Sequence, residues 1–143
     1  MRVRGCPAAM ESPRVDGKEV IAVTDRPSLE AWLEEVKREP GAARIGMYLA
    51  HNGVVRGTSR DGTPVSGMDL ACDHQRLRAV VEEIERRPGV VTVRVWVNEG
   101  RLAVGDDIML VLVGGDIREN VIGALQELVR LIKTEVVKER ELV

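Results

Sequence analysis

The sequence predicts one α+β domain, a sandwich of helices on a β-sheet, and three observations support this class. Its 143 residues are the usual length of a single domain. Hydrophobic residues make up 44% of the chain, which is enough for a core that needs no disulfide or structural metal. Segments with an apolar residue at every second position alternate with segments at helical spacing, as expected when strands and helices mix.

Composition excludes several classes of function. The net charge is −2 and the isoelectric point is about 5.8, so no strong positive field attracts a nucleic-acid backbone. The three aromatic residues, Trp32, Tyr48 and Trp96, are too few for a platform on which bases stack. No apolar run approaches the length of a membrane span, and the start does not resemble a secretion signal. We therefore expect a cytoplasmic protein without membrane contact.

Cysteine and histidine usage predicts neither a metal site nor a bound cofactor. Cys6 and Cys72 have no second Cys or His at metal-ligand spacing. His51 and His74 show no Ser, Cys or carboxylate arrangement typical of a catalytic triad. We therefore expect both histidines to be polar surface residues.

Residues 1–17 are predicted to be a poorly ordered extension, because Pro, Gly and charged residues follow one another there without a period. Residues 18–143 are predicted to form the single domain. Strands are expected at residues 18–24, 45–50, 68–72, 90–97 and 108–113. The last of these is apolar at every position, which indicates a central strand covered on both faces.

Three helices are predicted from apolar stripes with start and stop residues at their ends. The first ends before Pro40, and the second begins after Asp73. The third begins at a capping box formed by Asp116 and Glu119. Its apolar period continues to Val136, so a long C-terminal helix is expected.

Loops are predicted over residues 51–67 and 100–106. The first is the longest of the domain, with four Gly and one Pro, and we expect it to be mobile until a ligand or partner orders it. Residues 57–62 lack the Lys of a phosphate-binding loop. Residues 114–116 are compatible with a plain turn and with backbone donors for an anion.

Four short segments give a more specific indication. They are Gly53-Val54-Val55-Arg56, residues 100–106, residues 114–118 and Leu131-Ile132-Lys133-Thr134. In order and spacing, over about residues 41–139, they resemble the large, catalytic subunit of molybdopterin synthase. The resemblance implies an α/β hammerhead-type fold. It also implies a homodimer, since that family pairs large subunits and builds each site close to their interface.

The resemblance implies a reaction as well. In that family, sulfur passes from the thiocarboxylated Gly-Gly tail of a small ubiquitin-like subunit to a cyclic pyranopterin phosphate. Arg56 matches the family's loop Arg, and Arg118 matches the Arg of its His-Arg pair, so both imply substrate or anion binding. Lys133 matches the essential Lys of the last helix and implies the catalytic group. We expect Arg56 and Arg118 to meet at the N-terminus of that helix.

The chain also departs from the family pattern. Ile117 stands where the family has His, and Val97-Asn98 stands where it has His-Arg. A Pro-aromatic-Trp stretch is missing, and Lys138 follows Lys133 by only five residues. An unbroken helix would turn these two lysines about 140° apart, so Lys138 is a weaker site candidate. Two functions stay open: a divergent sulfur transferase of molybdenum cofactor biosynthesis, or a non-catalytic paralogue that binds a small ubiquitin-like partner or an anionic ligand.

Overall fold

The computed structural model describes residues 26–143 and two short strands before them. These strands, β1 (Arg14–Val15) and β2 (Lys18–Glu19), pair antiparallel with each other. The remainder of the predicted extension 1–17, and of the predicted strand 18–24, lies outside the described residues.

Helices and strands alternate along the described chain. The helices are α1 (Leu29–Val36), α2 (His74–Glu85) and α3 (Arg118–Leu131), with a 3-10 turn at Pro40–Arg44 and a π-turn at Ile132–Val136. The remaining strands are β3 (Met47–Val54), β4 (Gly67–Cys72), β5 (Val90–Val97), β6 (Gly100–Ala103), β7 (Asp107–Gly115) and β8 (Val137–Leu142). They form two antiparallel three-stranded sheets, in the orders β3-β7-β5 and β6-β4-β8. The α+β class is therefore confirmed.

Strand β7 is the centre of the first sheet, as its apolar sequence predicts. Residues 109, 111 and 113 face the main core, which α2 and α3 cover, and all three are buried. Leu110 and Leu112 face the opposite way and pack with Trp32 and Val36 of α1. Successive side chains of one strand thus enter two separate apolar clusters.

A buried ion cluster fixes α1 on the sheet. Arg94 of β5 contacts Glu35 with its Nη1 at 2.5 Å and Glu39 with its Nη2 at 2.9 Å. The side chains of Arg94 and Glu35 are only 14% and 10% exposed. Removing one partner would leave a buried charge without compensation, so the cluster specifies where α1 can lie.

Parts of the two predicted loops form β-strands in the structure. β3 continues through His51 and Asn52, which pair with Val111 and Leu110 of β7, so residues 51–54 belong to the sheet. The rest of the predicted loop 51–67 is anchored by two buried side chains, Val55 and Val65. In the predicted loop 100–106, residues 100–103 form β6 and pair with β4. Pairing with an apolar neighbour outweighs the poor strand propensity of Gly and Asn at these positions.

The expected long C-terminal helix extends to Val136, but its last five residues, Ile132–Val136, are π-helical. The chain makes a π-turn and then adds β8 to the second sheet, where Val137 pairs with Cys72. The Asp73 N–H donates to the Val136 carbonyl at 2.8 Å and ties the turn to the start of α2. Val136 at the end of the helical segment and Val137 at the start of β8 are both buried, so the change from helix to strand takes place against the core.

The expected capping box is also wrong. The N-cap of α3 is Ile117, and no side chain caps it. Asp116 accepts hydrogen bonds from the Ile117 N–H and from Asn120 Nδ2, at 2.6 and 2.9 Å. These donors lower the pKa of the Asp116 carboxyl, with the Asn120 contact the larger cause. None of the described helices is long and apolar enough to cross a membrane.

The core position of α3 leads to a stability prediction. Leu128 is fully buried, whereas Ile122 on the same helix is 38% exposed. We expect Leu128→Ala to lower the free energy of unfolding by about 2–5 kcal/mol, because it leaves a cavity. Ile122→Ala, the matched control, should cost less than about 1 kcal/mol. Urea denaturation of both variants measures the difference, and equal losses would contradict the placement of α3.

Candidate functional site

Lys133 lies in the π-turn that follows α3, at the junction of the two sheets. Its Nζ is 3.2 Å from Oε2 of Glu139 on β8. The Lys133 side chain is 44% exposed and that of Glu139 is 26% exposed. Glu135, a nearer carboxylate in sequence, binds Arg76 instead, with 2.9 Å between Nε and Oε1. Lys133 therefore presents an accessible ammonium group with one carboxylate partner.

His51 lies on β3, and the charge of Lys133 acts on its imidazole. It lies two residues after Leu49, which packs on the main core, so strand alternation places both side chains on the face that α3 crosses. The imidazole is half-buried. Burial, and to a smaller extent the charge of Lys133, lower the pKa of His51 below its ordinary value of 6.5. The expectation of a polar surface residue therefore holds only in part for His51, because its imidazole is partly buried.

Arg56 lies just after the end of β3. It follows Val55, whose N–H donates to the Asp106 carbonyl at 2.9 Å, and this bond fixes the chain beside the start of β7. The Arg56 Nε donates to the carbonyl of Thr58 at 2.9 Å. The side chain is exposed, and the bond through Nε holds it against its own loop. The guanidinium thus stands at the mouth of the loop that follows β3.

Arg118 lies at the opposite end. In the β3–β7 pair, Val54 is opposite Asp107 and Met47 is opposite Gly115, and Arg118 begins α3 just after Gly115. The nine residues of β7 span about 26 Å at the usual rise per strand residue. A single chain therefore does not bring Arg56 and Arg118 together, contrary to the expected anion site.

Lys138 points away from Lys133. It lies opposite Ala71 in the β4–β8 pair, and it directly precedes Glu139, the partner of Lys133. Adjacent strand residues project from opposite faces, so Lys138 lies on the outer face of the second sheet. The two lysines are separated by strand alternation, not by the helical rotation that the sequence suggested.

The outer face carries a charged ladder. Asp69 lies between Arg101 and Arg140, with its Oδ1 2.7 Å from Arg101 Nε and its Oδ2 2.5 Å from Arg140 Nη2. Both contacts lower the pKa of the Asp69 carboxyl, and the Arg101 hydrogen bond is the largest cause. Lys138 stands beside this ladder, so its surroundings differ from those of Lys133.

The structure also brings together three residues that sequence spacing did not connect. Cys72 ends β4, His74 begins α2, and Glu99 lies between β5 and β6. Their side chains are in mutual contact. The only sequence signal was the Cys-x-His spacing of the first two. Glu99 is 25 residues beyond His74 and reaches it only through strand pairing.

The sequence matches one known protein family. The sequence model of the MoaE protein family covers residues 23–135, which is most of the chain. No curated protein matches the chain.

Solved structures share the fold. The molybdopterin biosynthesis MoaE protein from Burkholderia ambifaria is 23% identical, with a TM-score of 0.65, and the match covers 83% of this chain and 84% of that one. Molybdopterin cofactor biosynthesis protein E from Burkholderia multivorans is 20% identical, with a TM-score of 0.66 and coverage of 87% and 92%. A complex of subunits 1 and 2 of the molybdopterin-converting factor from Helicobacter pylori is 18% identical, with a TM-score of 0.61 and coverage of 80% and 75%.

The influence of the Lys133 charge on His51 gives a titration prediction. In NMR, the His51 imidazole should titrate below pH 6.5, and Lys133→Gln should raise its pKa, because a neutral neighbour no longer opposes the imidazolium charge. Arg130→Gln is the control, since it removes a cation from the same helix whose side chain is paired with Glu127. An unchanged His51 pKa in Lys133→Gln would contradict the proximity of the two groups.

Proposed function

This chain belongs to the MoaE protein family, the family of the molybdopterin synthase large subunit, and from that premise we propose that it acts in molybdenum cofactor biosynthesis as a divergent sulfur transferase. The proposed substrates are a cyclic pyranopterin phosphate and the thiocarboxylated Gly-Gly tail of a small ubiquitin-like sulfur-carrier subunit. The observation that carries the proposal is the position of Lys133. Its ammonium is accessible, and its charge contributes to the lowered pKa of His51.

Lys133 is proposed to bind the thiocarboxylate. Its ammonium pairs with Glu139 in the protein alone, and an incoming thiocarboxylate would offer the same type of partner. Arg56 would bind the substrate phosphate, since its exposed guanidinium retains N–H donors beyond the Nε that bonds Thr58. Positive groups at one end of the sheet would thus hold two anionic reactants close together.

His51 is proposed as the proton-transfer group. The family's histidines correspond to Ile117 and Val97, and neither side chain can exchange a proton. The lowered pKa of His51 leaves its imidazole neutral near pH 7, so it can accept a proton released during sulfur transfer. This would preserve acid–base chemistry despite the lost histidines.

Arg118 is proposed to act across a homodimer. In its own chain it begins α3, whereas Lys133 lies beyond the other end of that helix, but the family pairs large subunits and builds its sites near their interface. A two-fold axis would bring Arg118 of one copy to the Lys133 end of the other. Each site would then be completed by its partner.

The second candidate function, a non-catalytic paralogue, is favoured by the residues that replace the family's His-Arg pair. Val97 is buried, and Asn98 Nδ2 donates to the Asp107 carbonyl at 3.0 Å. Both residues therefore have structural contacts. Such a protein would dock the small partner or an anion without transferring sulfur.

The enzyme proposal predicts different outcomes for the two lysines. Purified protein is mixed with a thiocarboxylated small subunit and the pyranopterin precursor, and molybdopterin is measured by its fluorescent oxidation product. Lys133→Ala should abolish transfer with little change in melting temperature, because its side chain is half-exposed. Lys138→Ala, on the other face, should retain most of the activity. Tight binding of the small subunit by wild-type protein with no transfer would instead support the paralogue.

The dimer proposal predicts complementation in trans. Light scattering should give about twice 15.8 kDa. Lys133→Ala and Arg118→Ala should each be inactive alone, but their re-equilibrated mixture should recover about a quarter of wild-type activity, since half of the dimers then contain one intact site. The double variant mixed with either single variant is the control and should stay inactive. A monomer, or a mixture without recovery, would refute a shared site.

A further inference from the structure

We propose that Cys72, His74 and Glu99 form a thiol-exchange site, at which Cys72 forms a mixed disulfide with a small disulfide molecule. The three residues lie where β4 meets α2, beside the turn between β5 and β6. None of them has a role in the proposed sulfur transfer. The inference therefore does not depend on that function.

The geometry is that of a nucleophile, a base and an orienting carboxylate. His74 Nε2 is 2.7 Å from Glu99 Oε1, and His74 Nδ1 is 4.0 Å from Cys72 Sγ. A carboxylate accepts hydrogen bonds, so Glu99 favours the tautomer with the proton on Nε2. The lone pair of Nδ1 then points at the thiol. Activation of a cysteine by a histidine that a third group orients uses the same arrangement of roles.

The carboxylate is itself fixed in place. Glu99 Oε2 accepts the backbone N–H of Cys72 at 3.1 Å, so one side chain bonds both the strand and the imidazole. The turn that presents Glu99 requires Gly100, whose φ of 115° is unfavourable for residues with a side chain. Asp73 accepts the Arg76 N–H at 3.0 Å and fixes the first turn of α2, where His74 begins the helix. Strand, turn and helix thus hold the three groups together.

A base is needed because the thiol is hard to ionise. Burial, and then the charges of Glu99 and Asp73, raise the pKa of Cys72 to about 11. At neutral pH the thiol keeps its proton, and an unaided thiol of this kind reacts slowly, because the thiolate is the nucleophile. His74 is 61% exposed and Cys72 is half-buried, so a small molecule can reach both.

The proposed step is balanced by the disulfide itself. His74 Nδ1 takes the proton of the Cys72 thiol while Sγ attacks one sulfur of the disulfide. The S–S bond of the small molecule breaks, and a new S–S bond to Cys72 forms. Cys72 is oxidised, and the released sulfur is reduced to a thiol that receives the proton from the imidazolium. No other oxidant is required.

The test measures the reaction of Cys72 alone. The chain has two cysteines, so Cys6→Ser leaves Cys72 as the only thiol. Dithiodipyridine, an uncharged disulfide, reports its reaction by the absorbance of the released thiopyridone. At pH 7, His74→Ala should lower the second-order rate constant at least about tenfold, as expected on loss of a general base. Gln75→Ala changes the exposed neighbour of His74 and should leave the rate unchanged.

Glu99→Ala separates a positioning role from a structural one. Glu99 is proposed to act through His74. In the Cys6→Ser protein, His74→Ala should therefore lower the rate at pH 7 strongly, whereas in the Glu99→Ala variant of that protein the same change should lower the rate much less. The pH profile should also shift, since loss of the carboxylate lowers the pKa of the thiol below about 11. The proposal is overturned if His74→Ala reacts as fast as the parent. It is equally overturned if folded Cys72 does not react at pH 7 while the urea-unfolded chain does.

Discussion

Burial of β7 on both faces is the constraint on which the rest of this structure depends. An antiparallel strand with two covered faces needs a separate layer on each side, and here α1 covers one face while α2 and α3 cover the other. The chain leaves β7 at Gly115, and α3 must then return along the sheet to bury its apolar stripe. That return brings the end of α3, and Lys133 after it, back towards the start of β7. The candidate site is therefore a consequence of how the core closes.

The same constraint separates the cationic groups. Arg56 follows the strand that pairs with β7, so it lies at the start of β7, whereas Arg118 begins the helix that starts at its other end. An anion that attracts both groups cannot shorten this distance, because moving either residue would break the pairing of a buried strand. Any site that uses both guanidinium groups therefore needs a second copy of the chain.

Much of the fold could be predicted from the sequence, because the spacing of apolar residues within a segment indicates which of its side chains are buried. The all-apolar residues 108–113 indicated a central strand, and Asp73 correctly marked the start of α2. The end of β3, and strands β6 and β8, could not be predicted, since their Gly, Asn and charged residues become strand only by pairing with partners distant in the chain. The contacts of His51 and Glu99 were missed for the same reason. Such contacts depend on which residues of two strands lie opposite each other, and the spacing of residues in the sequence does not contain this information.

The short connection from α3 to β8 explains why this chain presents a single lysine at its candidate site. The π-turn must bury Ile132 and Val136 and then bring Val137 into the sheet beside Cys72. Only five residues are available for this reversal, so β8 begins with Val137 facing the core and Lys138 facing outward. A longer connection, such as the family's Pro-aromatic-Trp stretch, could change which strand residue faces the site. With this length, packing of two valines decides the direction of Lys138, and Glu139, the next residue, is the strand residue that contacts Lys133.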